Sequence, residues 1–269
     1  MREFGIESLS SSQVSRAAKM LDDELEAWRT GDLGVVKHLI LDARYEKMRQ
    51  GGVVRDAAVL SAIGLGPDER RRVPGVSVAL SEAEVHWRAF LESLQARGMR
   101  GVEDVVSDDH AGLRAARRAV LGGATWQRRQ FHLAQNAIHH APNLAIRKRI
   151  GAEMRAVWTA ASLAKAEAVL AELVATYCDT APKLAAWLEA NASEGLAVFA
   201  PPEHHRRRMR TSNPMERAVQ QELKRRTVKV RVFPNEDALK RLVTAVLVEI
   251  DEKWAVDTKA YLEWECPDA

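Results

Sequence analysis

Hydrophobic positions in the first part of the chain recur at every second residue, or form short apolar runs, over three successive segments. These segments cover residues 38–46, 53–65 and 72–80, and turn-forming residues separate them at 50–52 and 66–68. Alternation of this kind, broken by short turns, predicts three strands joined in an antiparallel meander.

Helical periodicity precedes and follows this meander. A helix is predicted over 8–29, where Ser10 opens a capping box. A second helix is expected to begin after the meander at Ser81, with Glu84 three residues on. The pattern then predicts a strand, a short basic helix and a fifth strand over 102–107, 111–121 and 124–131. A mixed sheet with helices on its faces accounts for this order.

The pattern changes after residue 132. Residues 133–199 are rich in alanine and helical in period throughout, which predicts an all-helical insertion or subdomain in an α/β fold. Another helix is expected to open at Asn213 and Pro214, and two more over 236–253 and 258–263. The predicted division has four parts. Residues 1–33 hold a partial helix-turn-helix and a linker helix, and residues 34–132 hold the first part of the α/β domain. The helical region covers residues 133–200, and residues 201–269 hold a basic loop and the last helices.

Composition excludes several classes of protein. Of 269 residues, 46% are hydrophobic and 29% are charged, as in ordinary globular proteins, which excludes a disordered or fibrous chain. No apolar run approaches the roughly 20 residues of a membrane span, and the first residues lack the apolar core of a signal peptide. The two cysteines have no metal-ligand spacing and suggest no disulfide framework, so we expect a protein of the reducing cytoplasm. Because no apolar run is long enough to span a bilayer, we expect no membrane partner.

Charge is distributed unevenly, although its net value is only +3. Residues 201–231 carry ten Lys or Arg against three Glu, whereas residues 249–269 carry two Lys against seven acids. A basic stretch of this kind can hold the phosphates of a polyanion, and it is equally compatible with a solvated loop and helix face. The candidate DNA contacts within it are Arg206, Arg207, Arg208, Arg210, Lys224, Arg225 and Arg226.

Acidic residues occupy informative positions in the predicted elements. Asp42 lies inside the first strand, Asp108 and Asp109 lie at the end of the fourth, and Glu216 lies in the first turn of a helix. If these elements are neighbours, the carboxylates converge and offer oxygen ligands to divalent metal ions. A metal pair can activate water or a 3′-hydroxyl for attack on a phosphodiester. Each acid also has a structural alternative. Asp42 is explained equally by a turn at the strand end, Asp108 and Asp109 by helix N-caps, and Glu216 by a capping box.

Longer strings resemble a known family. The strings are LDARYEKMR, GVSVALSEAEVHWRAFLESLQARGMRGVE, VVSDDHAGLRAARRAVL, ATWQRRQFHLAQNA and TSNPMERAVQQELKRRTVKVRVFPNEDALKRL. Together, and in this order over nearly the whole chain, they resemble the Mutator-type bacterial insertion-sequence transposases.

The resemblance implies a ribonuclease-H-like mixed sheet flanked by helices, with the all-α insertion before the last catalytic acid. It implies a DDE triad on Asp42, Asp108 and Glu216 that ligates Mg²⁺ (or Mn²⁺). His132, expected at the end of the fifth strand, is similar to the family's site-adjacent histidine, and the alternative is a histidine bonded to backbone. The implied partners are double-stranded DNA, at element ends and target, and further copies of the chain on that DNA.

Three features depart from the family's pattern. The residue three positions before His132 is usually Cys in the family and is Arg129 here. Asp104 falls on the strand face of Asp108, where relatives usually carry an apolar residue, and we expect it to be an unpaired buried carboxylate. Residues 5–21 resemble only the second half of a helix-turn-helix. We therefore expect an N-terminally truncated copy that recognises its element's end sequences weakly.

The function expected from the sequence is DNA transposition in the bacterial cytoplasm, at the nucleoid when the protein is bound to DNA. Strand cleavage at the element ends would be followed by transfer of the 3′-hydroxyl to target DNA. One alternative is a catalytically inactive remnant that binds DNA non-specifically through its basic surface. Another is a helix-turn-helix regulator with an α/β ligand domain, which leaves the three acids in family order unexplained.

Overall fold

A computed structural model describes residues 10–68, 70–200, 206, 213–257 and 261, without the side chains of Val14 and of residues 213–217. The first helix, α1 (Ser11–Thr30), follows Ser10, and both halves of the predicted capping box are formed between Ser10 and Gln13. This helix packs against the last helix of the described chain.

The predicted meander is present. Strand β1 (His38–Gln50) pairs antiparallel with β2 (Val53–Leu65) along its whole length, and β2 pairs antiparallel with β3 (Arg71–Ala79). The turn between β1 and β2 consists of Gly51 and Gly52, which have φ of 57° and 81°. Two consecutive residues with positive φ form the tight hairpin turn whose twist matches that of the strands, and glycine adopts it without steric cost.

Two short strands extend the sheet on the other side of β1 with parallel pairing. Strand β4 (Asp104–Ser107) pairs parallel with β1, and β5 (Thr125–Arg128) pairs parallel with β4. The helices α2 (Glu84–Ala96) and α3 (Ala111–Val120) make the connections that parallel strands require. The strand order is β3-β2-β1-β4-β5, so the expectation of a mixed sheet flanked by helices is confirmed.

The remaining described helices follow β5. They are α4 (Gln130–His140), α5 (Leu144–Trp158), α6 (Leu163–Tyr177), α7 (Pro182–Asn191), two 3₁₀ turns (Ala192–Gly195 and Ala197–Phe199), α8 (Asn213–Thr227) and α9 (Glu236–Ala255). The 3₁₀ turns fasten this region to the sheet, because the Val198 backbone donates to Gln127 on β5 and Arg128 bonds Glu194. Within the described residues, no helix is long and apolar enough to cross a membrane.

The sheet separates two hydrophobic cores. Leu39 and Leu41 of β1 belong to the core that contains the buried residues of α2 and α3, whereas Ile40 belongs to the core with α8, α9 and the helices after β5. Successive strand residues face opposite sides of a sheet. Asp42, two residues after Ile40, therefore lies on the face that α8 covers.

Some predicted boundaries are wrong. The fifth strand ends at Arg128 rather than at 131, so His132 lies in the first turn of α4. Ser81 does not cap α2, whose N-cap is Ala83, although the Ser81 hydroxyl accepts from the Ala83 backbone. The predicted helix over 258–263 lies outside the described residues, apart from position 261.

The expectation that Asp104 is unpaired is also wrong. Its carboxylate Oδ2 lies 3.2 Å from Nδ1 of His38, the residue opposite it on β1. The His38 side chain is 2% exposed and that of Asp104 is 18% exposed. The ring nitrogen is not aligned for a regular hydrogen bond, so the carboxylate faces the imidazole at contact distance without a hydrogen bond between them.

Candidate active site

The register of the parallel strands brings Asp42 and Asp108 to the same level. Ile40 of β1 lies opposite Val106 of β4, so the same register two residues further on sets Asp108 beside Asp42. Asp108 directly follows β4, where the strand ends before α3. Sheets with parallel strands commonly bind ligands outside the carboxyl ends of those strands.

The two aspartates meet at one nitrogen atom. Nη1 of Arg129 lies 2.9 Å from Oδ1 of Asp42 and 3.2 Å from Oδ2 of Asp108. These two carboxylate oxygens are therefore at most about 6.1 Å apart, which is the sum of the two contacts. The structure thus brings together two of the three acids that the sequence singled out.

Arg129 is held firmly between the strands. It immediately follows β5 as the N-cap of α4, and its backbone N–H donates to the Ser107 carbonyl of β4. Its Nη2 donates to the Leu41 carbonyl at 2.8 Å, and its side chain is only 4% exposed. The planar guanidinium presents its donors in a fixed fork, so these acceptors define its orientation.

Helix α8 lies along the face of β1 that carries Asp42. Nε2 of Gln220 donates to Oδ2 of Asp42 at 2.5 Å, and Arg44 donates to the Gln220 carbonyl. Further along, the Thr227 hydroxyl donates to Glu46 at 2.8 Å. The alternation of Asp42, Arg44 and Glu46 on one strand face therefore aligns the helix by polar contacts.

Glu216, the third acid, lies in α8 one helical turn before Gln220. Residues four apart share a helix face, so the helix carries Glu216 on the side from which Gln220 reaches Asp42. The side chain of Glu216 itself is outside the described part. The role of Gln220 was missed by the sequence reasoning, although its spacing from Glu216 is the signal that points to it.

His132 lies at the rim of this site. Its Nε2 is 3.4 Å from Oδ2 of Asp108, and its side chain is 42% exposed. The neighbouring Phe131 is also exposed and meets the His132 ring edge-on. The position in α4, rather than at a strand end, allows the imidazole to face both Asp108 and solvent.

Two other acids lie outside the site. Asp109 forms ion pairs with Arg128 and Arg114, away from Asp42 and Arg129. Glu222 pairs with Arg225 and Arg226 near the end of α8. Hydrogen bonds from Arg225 and then Arg226 lower the pKa of Glu222 from 4.5 to about 2, because these donors favour the ionised carboxylate.

The carboxylate oxygens of Asp42 and Asp108, as arranged in the described residues, do not fit a divalent ion held between them. Both oxygens of Asp42 already accept from protein donors, and Asp108 Oδ2 shares the guanidinium nitrogen. Oδ1 of Asp108 is buried and has no hydrogen-bond partner among the described residues. Within the same residues, no group of three or more His, Cys, Asp or Glu side chains is arranged to hold a metal ion.

The candidate DNA-contacting residues differ in how exposed their side chains are, and some of them lie outside the described residues. Lys224 and Arg225 are exposed on α8, whereas Arg226 is partly buried and also pairs with Glu249. The Arg206 guanidinium lies over the Phe199 ring and donates to the Ala161 carbonyl. Arg207, Arg208 and Arg210 lie outside the described residues.

Comparison with known proteins identifies the class to which this fold and site belong. The model of the family described as "Transposase, Mutator family" matches residues 1–257. The chain belongs to this family, as the sequence resemblance predicted.

Curated relatives of the chain are transposases of bacterial insertion sequences. The chain is 50% identical over 257 residues to the transposase for insertion sequence element IS406 of Burkholderia multivorans, a match that covers 96% of this chain and 66% of the relative. It is 40% identical to the transposase for ISRM5 of Rhizobium meliloti, over 92% of this chain and 62% of the relative. It is 35% identical to the transposase for IS1081 of Mycobacterium tuberculosis, over 97% and 63%. The chain thus spans just under two thirds of the length of these relatives.

Proposed function

We propose that the chain carries the catalytic site of an insertion-sequence transposase, which cleaves DNA strands at the element's ends and joins the freed 3′-hydroxyl to target DNA. The proposed catalytic acids are Asp42, Asp108 and Glu216, with His132 beside them. The observation that carries the proposal is the meeting of Asp42 and Asp108 at one guanidinium nitrogen across adjacent parallel strands.

The proposed architecture is a ribonuclease-H-like domain interrupted by a helical insertion before Glu216. Its support is the strand order β3-β2-β1-β4-β5, in which an antiparallel meander continues into two parallel strands. The helices between β5 and α8 supply the insertion, and their 3₁₀ turns dock on β5.

The proposed cofactor is Mg²⁺ (or Mn²⁺), which when bound would stabilise the charge that develops on the phosphodiester oxygens. The arrangement of Asp42 and Asp108 around Arg129 does not fit such an ion. A metal-dependent reaction is therefore proposed only for a form in which Arg129 no longer contacts both acids. His132 lies half-exposed at the rim and is positioned to contact either Asp108 or a phosphate.

The proposed partner is double-stranded DNA, with further copies of the chain assembled on it. Lys224 and Arg225 are exposed and offer phosphate contacts at the end of α8. Residues 206–210 would add four arginines to this surface. The proposed compartment is the bacterial cytoplasm, at the nucleoid.

A second candidate function is favoured by one specific observation. Arg129 neutralises part of the acidic site and fills the gap between Asp42 and Asp108. This contact favours a catalytically inactive family member that retains non-specific DNA binding through its basic surface.

A strand-transfer assay separates the two candidates. The substrate is a duplex with the element's terminal sequences, incubated with the full chain and Mg²⁺ or Mn²⁺. The catalytic candidate predicts 3′-end products from the Arg129→Cys chain, in which residue 129 no longer contacts both acids. Addition of Asp42→Asn or Glu216→Gln should abolish these products, while addition of Asp109→Asn should retain them because that acid pairs with Arg128 instead. The inactive candidate predicts no product from any variant, together with a retained shift of the DNA in gels.

A further inference from the structure

Arg129 differs from an ordinary surface arginine in its surroundings. Its side chain is 4% exposed and donates to Asp42, Asp108 and the Leu41 carbonyl. A buried charge requires compensation by partners, and here the compensation comes from the two carboxylates of the proposed acid site. Arg129 and the acids therefore form one electrostatic unit.

The guanidinium lies between the oxygen atoms that would hold a cation. Magnesium binds carboxylate oxygens at about 2.0–2.1 Å, so an ion held by both carboxylates would need the gap between Asp42 Oδ1 and Asp108 Oδ2. The Nη1 atom of Arg129 already lies in that gap, 2.9 Å and 3.2 Å from the two oxygens. Steric exclusion and like-charge repulsion both oppose simultaneous occupation.

The other two carboxylate oxygens of the site, one on Asp42 and one on Asp108, are also unavailable or buried. Asp42 Oδ2 accepts from Gln220 at 2.5 Å, so neither oxygen of this carboxylate lacks a donor. Asp108 Oδ1 is buried without a hydrogen-bond partner in the described part of the chain. A divalent ion would thus have to displace the arginine before it could bind both acids.

We propose that Arg129 is a built-in cation that takes the place of a divalent metal ion and closes the acid site to it. The inference rests on the proposed function, which assigns Asp42 and Asp108 to that site. Replacement of Arg129 by a neutral residue opens the site.

Metal binding to the full chain tests this directly, with Mn²⁺ alone as the probe and its free concentration read by electron paramagnetic resonance. We expect Arg129→Cys and Arg129→Gln to bind Mn²⁺ at least about tenfold more tightly than the wild-type chain, because a positive charge in contact with both acids has been removed. Addition of Asp42→Asn to Arg129→Cys is expected to abolish the gain.

Two matched variants separate charge from packing. Arg128→Gln removes an equally buried guanidinium whose partners are Asp109 and Glu194, and it is expected to leave Mn²⁺ binding at the wild-type level. Arg129→Lys retains the positive charge but loses the fork, and it is expected to stay closed to Mn²⁺. Thermal melts supply a second readout, in which Mn²⁺ raises the melting temperature of Arg129→Cys and not that of the wild-type chain.

The wild-type protein keeps the proposal falsifiable if a variant fails to fold. Tight Mn²⁺ binding by the wild-type chain that Asp42→Asn removes would overturn the closure. A folded Arg129→Cys chain that binds Mn²⁺ no better than wild type would overturn it as well. If Arg129→Cys gains Mn²⁺ but forms no strand-transfer product, the closure stands and the proposed catalytic function fails.

Discussion

At residue 129, one guanidinium contacts two carboxylates that are far apart in sequence. A Cys at this position, as the resemblance implies for the family, would carry neither the charge nor the reach to occupy the gap between Asp42 and Asp108. The Arg129 side chain reaches this gap because its backbone N–H is hydrogen-bonded to the carbonyl of Ser107, the residue before Asp108. The residue at this strand end thus determines which group lies between two acids that are distant in sequence.

Asp104 illustrates how a partner reverses an expectation. Viewed from the sequence, an apolar replacement should stabilise the protein, because it removes a buried carboxylate. The contact with His38, which is 2% exposed, predicts the opposite. We expect Asp104→Val to lower the free energy of unfolding by about 1–3 kcal/mol, since it removes the carboxylate that faces the buried imidazole of His38.

Urea unfolding at pH 7 measures this effect, and the double variant His38→Leu with Asp104→Val is its control. The double variant removes both polar partners and should lose less than the two single variants together. An increase in stability on Asp104→Val alone would restore the original expectation.

Glu222 provides a titration that reports on the end of α8. Hydrogen bonds from Arg225 and then Arg226 lower its pKa to about 2. An acid with a lowered folded pKa adds stability above its ordinary pKa of 4.5, and this contribution disappears as the pH falls through about 2. We expect carbon NMR to detect a midpoint near 2 for Glu222 and a higher midpoint in Arg225→Ala. A midpoint in the ordinary range in the wild-type chain would exclude the ion pairs.

At the scale of elements, the long antiparallel strands were predictable and the short parallel ones were less so. The β1–β2 hairpin follows directly from alternation and from the Gly51-Gly52 turn. Strand β5 is only four residues long and runs straight into α4. The sequence pattern extends the strand over residues 129–131, but burial of Leu133 and Ala137, four residues apart, reveals a helical period.

The contact between α5 and α6 has a testable alkaline dependence. Tyr177 on α6 is buried and donates to Glu153 on α5 at 2.5 Å. Burial, followed by this hydrogen bond, raises the pKa of Tyr177 to about 12. A group whose pKa is raised on folding contributes stability below its unfolded value of about 10, and loses it as the pH rises through about 12.

Absorbance at 295 nm follows tyrosinate formation in the folded protein. We expect one of the three tyrosines to ionise near pH 12, and Tyr177→Phe to remove that step while making the unfolding free energy less sensitive to pH between 10 and 12. Complete ionisation of all tyrosines by pH 11, with the fold intact, would contradict the buried contact.

At the scale of the whole molecule, the order of strands and helices was predictable because each element has its own period. The convergence of Asp42 and Asp108 was predictable only with the family resemblance, since it depends on the β1–β4 register. The roles of Arg129 and Gln220 were not predicted, because each depends on the reach of a side chain across a gap between elements. The mixed sheet was thus more accessible from the sequence than the chemistry of its site.

The basic surface predicts salt-sensitive DNA binding. Neutralised phosphates release counterions, so the logarithm of the affinity for a random duplex should fall linearly with the logarithm of salt concentration. Lys224→Ala should reduce the slope by about 1, whereas Lys183→Ala, which removes an exposed lysine from α7, should not. Fluorescence anisotropy between about 50 and 200 mM salt measures both. Equal slopes for the two variants, or no dependence on salt, would remove α8 from the DNA surface.

Cleavage of a supercoiled plasmid that carries the element's ends, in the presence of Mn²⁺, tests the central claim most directly. That claim is that Asp42 and Asp108 form a strand-cleavage site that Arg129 closes. We expect little product from the wild-type chain, at least about tenfold more from Arg129→Cys, and none above wild type when Asp42→Asn is added. Equal cleavage by the wild-type chain and Arg129→Cys, or cleavage that survives Asp42→Asn, would contradict it.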